Sequence, residues 1–465
     1  MTAQRLRSSL SRPAREGGRF MRRFTPVALS ALLALAALPA AQGKSLLESY
    51  EGAHGSDANY HAARALAEPA QYRADQVHAL RRPNVGLSAT AGRSTNETPV
   101  QDLTSNAVSA GISATQSIFN RANDKTIAQA DTALAVARAE LQIAEQDLIV
   151  RLSQAYFDVL AAQDTLGAAN ATKSAISEQL ASAKRNFEVG TATITDTREA
   201  QARFDLATAQ VIAAENDLRI KRIALDQQVG RTGIEPQPLA VPVALPPVQP
   251  ANVDAWVAQT EDSPQVRRAR AAYEIAKLET EKAQAGRLPT VDVSASYARG
   301  RLSNDGSSLA GGARAPFDYS GGSGTSNIGI TLRMPLYAGH AIRNRVKETL
   351  LLEEQSRNNL EAARRGTAQA TRQVFFTAQS VQAQVMALEA AESSSQLALE
   401  ATQTGYRVGV RVNLDVLNAQ TQLFSTRRDL ARARYDVLLA NLRLEQAAGT
   451  LTPEDVVQLN QLLAR

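Results

Sequence analysis

The feature that most limits how this chain can fold is that it is built twice. Phe187-Glu188-Val189-Gly190 returns as Tyr406-Arg407-Val408-Gly409, Asp196 as Asp415, Ala200-Gln201 as Ala419-Gln420 and Gly230 as Gly449, each pair 219 positions apart. Nearer the N-terminus, Arg64 matches Arg270 and Pro83 matches Pro289, at an interval of 206. One insertion explains the change, because 36 positions separate Pro83 from Phe119 and 48 separate Pro289 from Tyr337. The extra residues fall at 303–326, a Gly- and Ser-rich stretch expected to be a longer loop. Self-similarity at this interval marks a duplicated structural unit. Residues 236–250 hold six prolines and cannot be helical, so they read as an extended connector. The expected division is a first repeat at 44–234, a connector at 235–251, a second repeat at 252–449 and a tail at 450–465.

Within each half the hydrophobic period changes. Val85, Leu87, Ala89 and Ala91 alternate with Gly86, Ser88 and Thr90, and Val108, Ala110, Ile112 and Ala114 with Ser109, Gly111, Ser113 and Thr115. In the second half Val291, Val293, Ala295 and Tyr297 alternate with Asp292, Ser294 and Ser296, and Ile328, Ile330, Leu332 and Met334 with Gly329, Thr331 and Arg333. Period two predicts strands with one apolar and one polar face, and the turn-formers between them predict one hairpin per half, at about 84–118 and 290–337. Proline-free stretches rich in Ala, Gln, Arg and Glu run from Arg121 to about Glu188 and from Ala341 to about Arg407, with shorter returning helices from about Thr195 to Val229 and Asn413 to Ala448. Helices this long point to coiled-coil packing.

Four strands with one lipid-ready face cannot close a barrel alone, and an open edge is not viable in lipid. Two copies would give eight strands, a bore that side chains fill, whereas three copies give twelve and leave a lumen. The Ser, Thr and Gly face suits a water-filled bore. The fold class is therefore mostly α with membrane β, a trimer whose 12-stranded barrel stands on long coiled-coil helices. The alternative is a non-pore periplasmic coiled-coil adaptor or scaffold, which would lack duplicated lipid-facing strands.

Charge and composition narrow the function further. Seven arginines against Glu16 in residues 1–25 exceed the +5 of the whole chain, so the body is close to neutral and lacks the basic patch of a nucleic-acid binder. Residues 1–43 read as a signal peptide, with a basic region ending at Arg22-Arg23, an apolar run from Val27 to Leu38, and small residues that place cleavage between Ala40 and Lys44; Met21 offers a second start. With no cysteine there is no disulfide, thiolate metal site or N-terminal lipid anchor. His54, His61, His78 and His340 are scattered without metal-ligand spacing, so no metal is expected. Gly321-Gly322-Ser323-Gly324 lies between strands and is no nucleophile elbow, and no phosphate-cradling loop occurs. Neither an enzyme nor a cofactor is expected.

These segments resemble the TolC family of trimeric outer-membrane channels. The resemblance rests on Phe187-Glu188-Val189-Gly190 followed by Ile194-Thr195-Asp196, and on Gly405-Tyr406-Arg407-Val408-Gly409 followed by Asp415-Val416-Leu417. It is carried also by Gly286-Arg287-Leu288-Pro289-Thr290-Val291-Asp292-Val293 and by Ala448-Gly449-Thr450-Leu451. It implies a homotrimer in outer-membrane lipid, a tunnel through the periplasm and an equatorial belt from residues 45–70, the connector and the tail. It also implies recruitment by a periplasmic adaptor (membrane fusion protein) and an inner-membrane ABC or RND transporter, for export of drugs or proteins by efflux or type I secretion. By residue, the resemblance implies a gate in which Tyr406 and Arg411 bond Thr195 and Asp196. It implies an entrance constriction at Asp415 and at Asn418, where the family's second acidic ring is lost. It also implies adaptor docking at the helix tips Val189, Gly190, Thr191, Val408 and Gly409.

Overall fold

Each half runs helix, hairpin, long helix, shorter helix. In the computed structural model, which describes residues 44–191, 193–240 and 245–463, the first half comprises α1 (Leu46–Ser56), α2 (Ala58–His78), β1 (Asn84–Glu97), β2 (Gln101–Phe119), α3 (Arg121–Glu188) and α4 (Ile194–Val229). The second comprises α5 (Val253–Gln259), α6 (Pro264–Ala285), β3 (Thr290–Ala310), β4 (Ala313–Arg333), α7 (Ala341–Arg407) and α8 (Asn413–Ala448), and α9 (Pro453–Asn460) follows. The signal peptide expected at 1–43 lies outside the described residues. α3 has 68 residues and α7 has 67, while α4 and α8 have 36 each, so the duplication is kept almost to the residue. At ~1.5 Å per residue each long helix extends about 100 Å.

Shorter helices are laid along each long one. His78 at the end of α2 meets Asp131 of α3 at 2.9 Å, Asp57 before α2 meets Arg151 at 3.2 Å, and Lys221 near the end of α4 meets Asp158 at 2.9 Å. α2 and α4 therefore occupy successive stretches of α3. α6 and α8 flank α7 in the same manner, with Arg345 of α7 on Glu279 of α6 at 2.8 Å and Arg427 of α8 on Glu392 at 2.9 Å. Small buried residues, among them Ala183, Ala200 and Ala207, let α3 and α4 approach closely.

Both shorter helices stop at glycines in the left-handed region, Gly230 (φ 71°) and Gly449 (φ 84°). At Gly449 a side chain is also excluded by space, because a Cβ would stand 2.5 Å from Ser263 Cα. Conformation and crowding thus both demand glycine there.

The largest core surrounds the middle of α3. Leu148, Ile149, Leu152, Tyr156 and Leu160 pack with Leu46 and Tyr50 of α1, Ile234 just before the connector, Leu239 within it, and Val456, Leu459 and Leu463 at the C-terminus. The Tyr156 hydroxyl accepts from the Gln237 amide at 2.8 Å and donates to the Lys44 carbonyl at 3.0 Å. Short bridges pair Lys44 with Pro236 and Leu239 with Leu463, so the beginning, middle and end of the described chain are tied at one level. Residues 58–70 instead continue in α2 along α3 toward the strands.

The four strands form one antiparallel sheet in the order β1-β2-β3-β4, so the two hairpins pair directly through β2 and β3. Leu87 aligns with Ile112 and Ile112 with Tyr297, which assembles the apolar alternation into continuous rows on one face. β1 and β4 are left with one open edge each. The stretch 303–326, expected as a loop, is strand instead: β3 and β4 stay in register from Thr290 with Arg333 to Ala310 with Ala313. Its Gly and Ser residues give both faces similar polarity and hide the period, while an antiparallel ladder needs only backbone groups.

Candidate functional site

The turns from α3 to α4 and from α7 to α8 lie at the ends of the coils remote from the strands. Both use one backbone solution: α3 gives way at Val189 and α7 at Val408, and Gly190 (φ 78°) and Gly409 (φ 77°) reverse the chain. Gly190 donates to the Phe187 carbonyl at 3.0 Å and Gly409 to the Tyr406 carbonyl at 3.1 Å. Val189, Val408 and Val410 stand exposed around the turns, and Thr191 is exposed with its hydroxyl on the Asn186 carbonyl at 3.1 Å.

The tips differ in how the returning helix begins. Thr193 caps α4: its side chain accepts from the Asp196 amide at 3.2 Å, and Asp196 returns to the Thr193 amide at 2.9 Å and hydroxyl at 2.8 Å. This reciprocal arrangement satisfies two otherwise free donors. At the matching position in the second half stands Val412, which has no cap to offer. Asp415, the counterpart of Asp196, is thereby left to Arg411 one turn earlier, at 3.6 Å. One substitution in the repeat thus turns a carboxylate that caps the start of a helix into one that carries a surface ion pair.

Hydrogen bonds among the described residues join the first half to the second-half tip. Asn186 of α3 donates to the Tyr406 hydroxyl at 3.2 Å, and Gln179 of α3 donates to Asn413 at the start of α8. The Tyr406 ring rests on Leu399, Val416 and Leu423. Of the gate residues expected from sequence, Thr195 is exposed, and Asp196 is engaged in its own cap. Among the described residues of one chain, neither Tyr406 nor Arg411 hydrogen-bonds Thr195 or Asp196. At the expected constriction Asp415 pairs with Arg411, while Asn418 accepts from Arg203 of α4 at 3.3 Å, so a cation adjoins the position where the acidic residue is lost. Asn186, Gln179 and Arg203 gave no signal in sequence, because a single polar residue on a long polar helix resembles its neighbours.

Farther up the coils α3 and α8 share a polar seam. Tyr435 donates to Asp164 at 2.7 Å, and burial holds Asp164 above the ordinary carboxylate range despite that bond. Near the end of α8, burial and then the neighbouring Asp455 push Glu445 up to about 7.

At the opposite end of the coils the sheet sets an apolar face of Leu87, Ile112, Val291, Val293, Ile328, Ile330 and Leu332 against a face of Ser, Thr and Gly. Ile328, Ile330 and Leu332 are exposed in the single chain, as lipid-facing side chains of a barrel wall would be. A pore-free adaptor has no use for such a sheet. Membrane strands with open edges, standing on coils about 100 Å long, define an outer-membrane channel subunit.

The chain matches the family described as outer membrane efflux protein over residues 52–231 and 258–450, and it belongs to that family. It is 30% identical to the outer membrane protein TolC of Escherichia coli (strain K12) over 426 residues, covering 91% of this chain and 86% of the relative. It is 32% identical over 315 residues to the alkaline protease secretion protein AprF of Pseudomonas aeruginosa, covering 67% of this chain and 63% of that protein. Its fold matches the crystal structure of the outer membrane protein VceC of Vibrio cholerae with a TM-score of 0.72 at 20% identity, covering 87% of this chain and 96% of that one. The protein is a TolC-like outer-membrane exit duct whose four strands contribute to a transmembrane barrel.

Proposed function

We propose that three copies close one 12-stranded barrel and one coiled-coil tunnel, and that the second-half tip, α7 with α8, is the moving part of a gate at the tunnel's inner end. The observation that carries this is the missing cap. A side-chain N-cap contributes about 0.5–2 kcal/mol, and α4 has one where α8 does not. What ties the second-half tip to the first half is the Asn186–Tyr406 bond, a neutral link worth about 0.5–1.5 kcal/mol, with the Gln179–Asn413 and Arg203–Asn418 contacts, while the exposed Arg411–Asp415 pair, worth about 0.2–1 kcal/mol, braces the turn itself. Repeated in three chains, such links set a barrier of a few kcal/mol, which the binding of a partner can reverse.

In this reading Tyr406 and Arg411 keep the tip in place, and their contacts with Thr195 and Asp196 form across the assembled trimer. Asp415 lines the entrance beside Asn418. Val189, Gly190, Thr191, Val408 and Gly409 form the surface on which a periplasmic adaptor docks with its inner-membrane ABC or RND transporter. The repeats at 44–234 and 252–449 are the two structural units, the connector at 235–251 and the tail at 450–465 belong to the belt between them, and the barrel wall is seated in outer-membrane lipid. The protein works by opening a passage and has no catalytic centre or cofactor of its own. Its cargo is drugs, secreted proteins or both; the protease-secretion relative keeps the protein route open.

The test is export in a Gram-negative host that lacks its own channel. Wild type should restore resistance to lipophilic drugs or release of a secreted protein. Val189→Glu with Val408→Glu should abolish export while light scattering still finds three chains per detergent particle. Full export by the double variant would remove the tips from the docking surface.

A further inference from the structure

Above the apolar rows, the lipid-facing side of the sheet changes character abruptly. Val291, Val293, Ala295 and Tyr297 share one face of β3, and the next two residues on that face are Arg299 and Arg301. Arg93 of β1 lies on the same face one row farther out, opposite Asn106. All three arginines are exposed. Among the described residues none has a carboxylate partner, whereas Arg314 nearer the hairpin end is paired with Asp102. The Arg301 guanidinium has one hydrogen-bond partner among the described residues, the Ser320 hydroxyl at 3.3 Å.

Their height on the wall decides what they meet. Arg299 lies nine residues along β3 from Thr290. That is ~30 Å of strand at ~3.4 Å per residue, or ~23 Å of height at the usual tilt of a membrane strand. The apolar band of such barrels is ~25 Å tall and ends in an aromatic girdle, a place taken here by Tyr297. The arginines therefore leave the hydrocarbon where the outer leaflet's headgroups begin, and an unpaired cation on the lipid side is tolerated only there.

The surroundings leave the guanidinium groups uncovered. Arg299 stands between Ala110 on β2 and Gly324 on β4, and Arg301 between Val108 and Gly322. Ala89, Ala91, Val108 and Ala110 floor a shallow depression of about 430 Å³ with Arg299 and Arg301 at its border. An apolar trough bordered by donors that fit phosphate bidentately matches an amphiphile with an acyl chain below and phosphate above.

We propose that Arg93, Arg299 and Arg301 of each subunit bind the phosphate groups of an outer-leaflet lipid headgroup, with an acyl chain of that lipid lying over the alanine floor. This rests on the barrel and is independent of the gate and the cargo.

The test uses the full mature chain as trimers in non-ionic detergent, with native mass spectrometry counting bound lipid. The probe is lipid A carrying both phosphates, compared with the same lipid after enzymatic dephosphorylation and with inorganic phosphate as competitor. Wild type should retain up to three lipids per trimer, and R93Q/R299Q/R301Q should lose at least tenfold in affinity. The dephosphorylated lipid should bind wild type as weakly as the intact lipid binds that variant, and the corresponding triple lysine variant should recover much of the binding. Equal binding of the two lipids by wild type, or glutamine-variant affinity within twofold of wild type, overturns the proposal. Displacement by millimolar inorganic phosphate would make the cluster a plain anion site and overturn it too. Should the glutamine variant fail to assemble, the two lipids on wild type still decide.

Discussion

Val412→Thr should tighten the second-half tip. The backbone is already set for a cap, since Val412 has φ −93° and ψ 160°, against −89° and 160° at Thr193. Val and Thr are near-isosteric and Val412 is 58% exposed, so the new hydroxyl is not forced into an apolar site. It would accept from the Asp415 amide, and Asp415 stands at the third position of the helix, where Asp196 completes the same box in α4. A cap of this kind adds about 1 kcal/mol, or about fivefold in the local opening equilibrium. Two assays read it. Hydrogen exchange of the peptide spanning the start of α8 should slow about fivefold in detergent-solubilised trimers. In planar bilayers the closed lifetime should lengthen, and by up to about two orders of magnitude if the three tips open together, since about 3 kcal/mol would then be at stake. Unchanged exchange would show that Asp415 cannot serve as the box's acid. Slower exchange with unaltered gating would refute the assignment of α7 and α8 as the moving part.

Tyr406→Phe keeps the ring on Leu399, Val416 and Leu423 but removes the acceptor of the Asn186 bond, so single-channel recordings should show a higher open probability, by about fivefold per tip. Asn418→Asp adds an acid beside Asp415 and should raise cation over anion permeability in reversal-potential measurements. The gain should be larger when Arg203→Gln is added, because Arg203 would otherwise neutralise the new carboxylate. Glu445, pushed up to about 7 from 4.5, keeps its proton in the folded chain over a range in which the unfolded chain releases it. The stabilisation is thus full below about 4.5 and lost as pH rises through about 7, by about 3 kcal/mol per chain. Thermal unfolding at pH 5 and pH 8 should show a wide gap in wild type and a narrower one in Glu445→Gln.

The parts legible in sequence were those in which a local rule left a period or a repeat. Leu87 and Ile112 declared strands because their neighbours are small and polar, and the proline-free run after Arg121 declared a long helix. The Tyr406 and Asp415 positions stood out through their repeated partners. The outer stretch of β3 and β4 was hidden, since Gly321, Gly322 and Gly324 oppose residues of no consistent polarity and only the ladder shows them extended. The pairing of β2 with β3 was also out of reach, because 189 positions separate Gln101 from Thr290 and no short-range turn links them. At the tip the sequence supplied Asp196 and Asp415 as equivalents. Their different employment follows from Thr193 against Val412, a contrast visible in sequence whose weight appears only once the caps are seen.

The two open edges of the sheet have a genetic consequence. If the barrel closes only when β1 of one subunit meets β4 of the next around a ring of three, no subunit's membrane strands are complete without both neighbours. A lesion at either edge then acts on the whole ring. In a cell making equal amounts of sound and edge-damaged chains that mix freely, roughly one ring in eight would be wholly sound, so such alleles should be dominant.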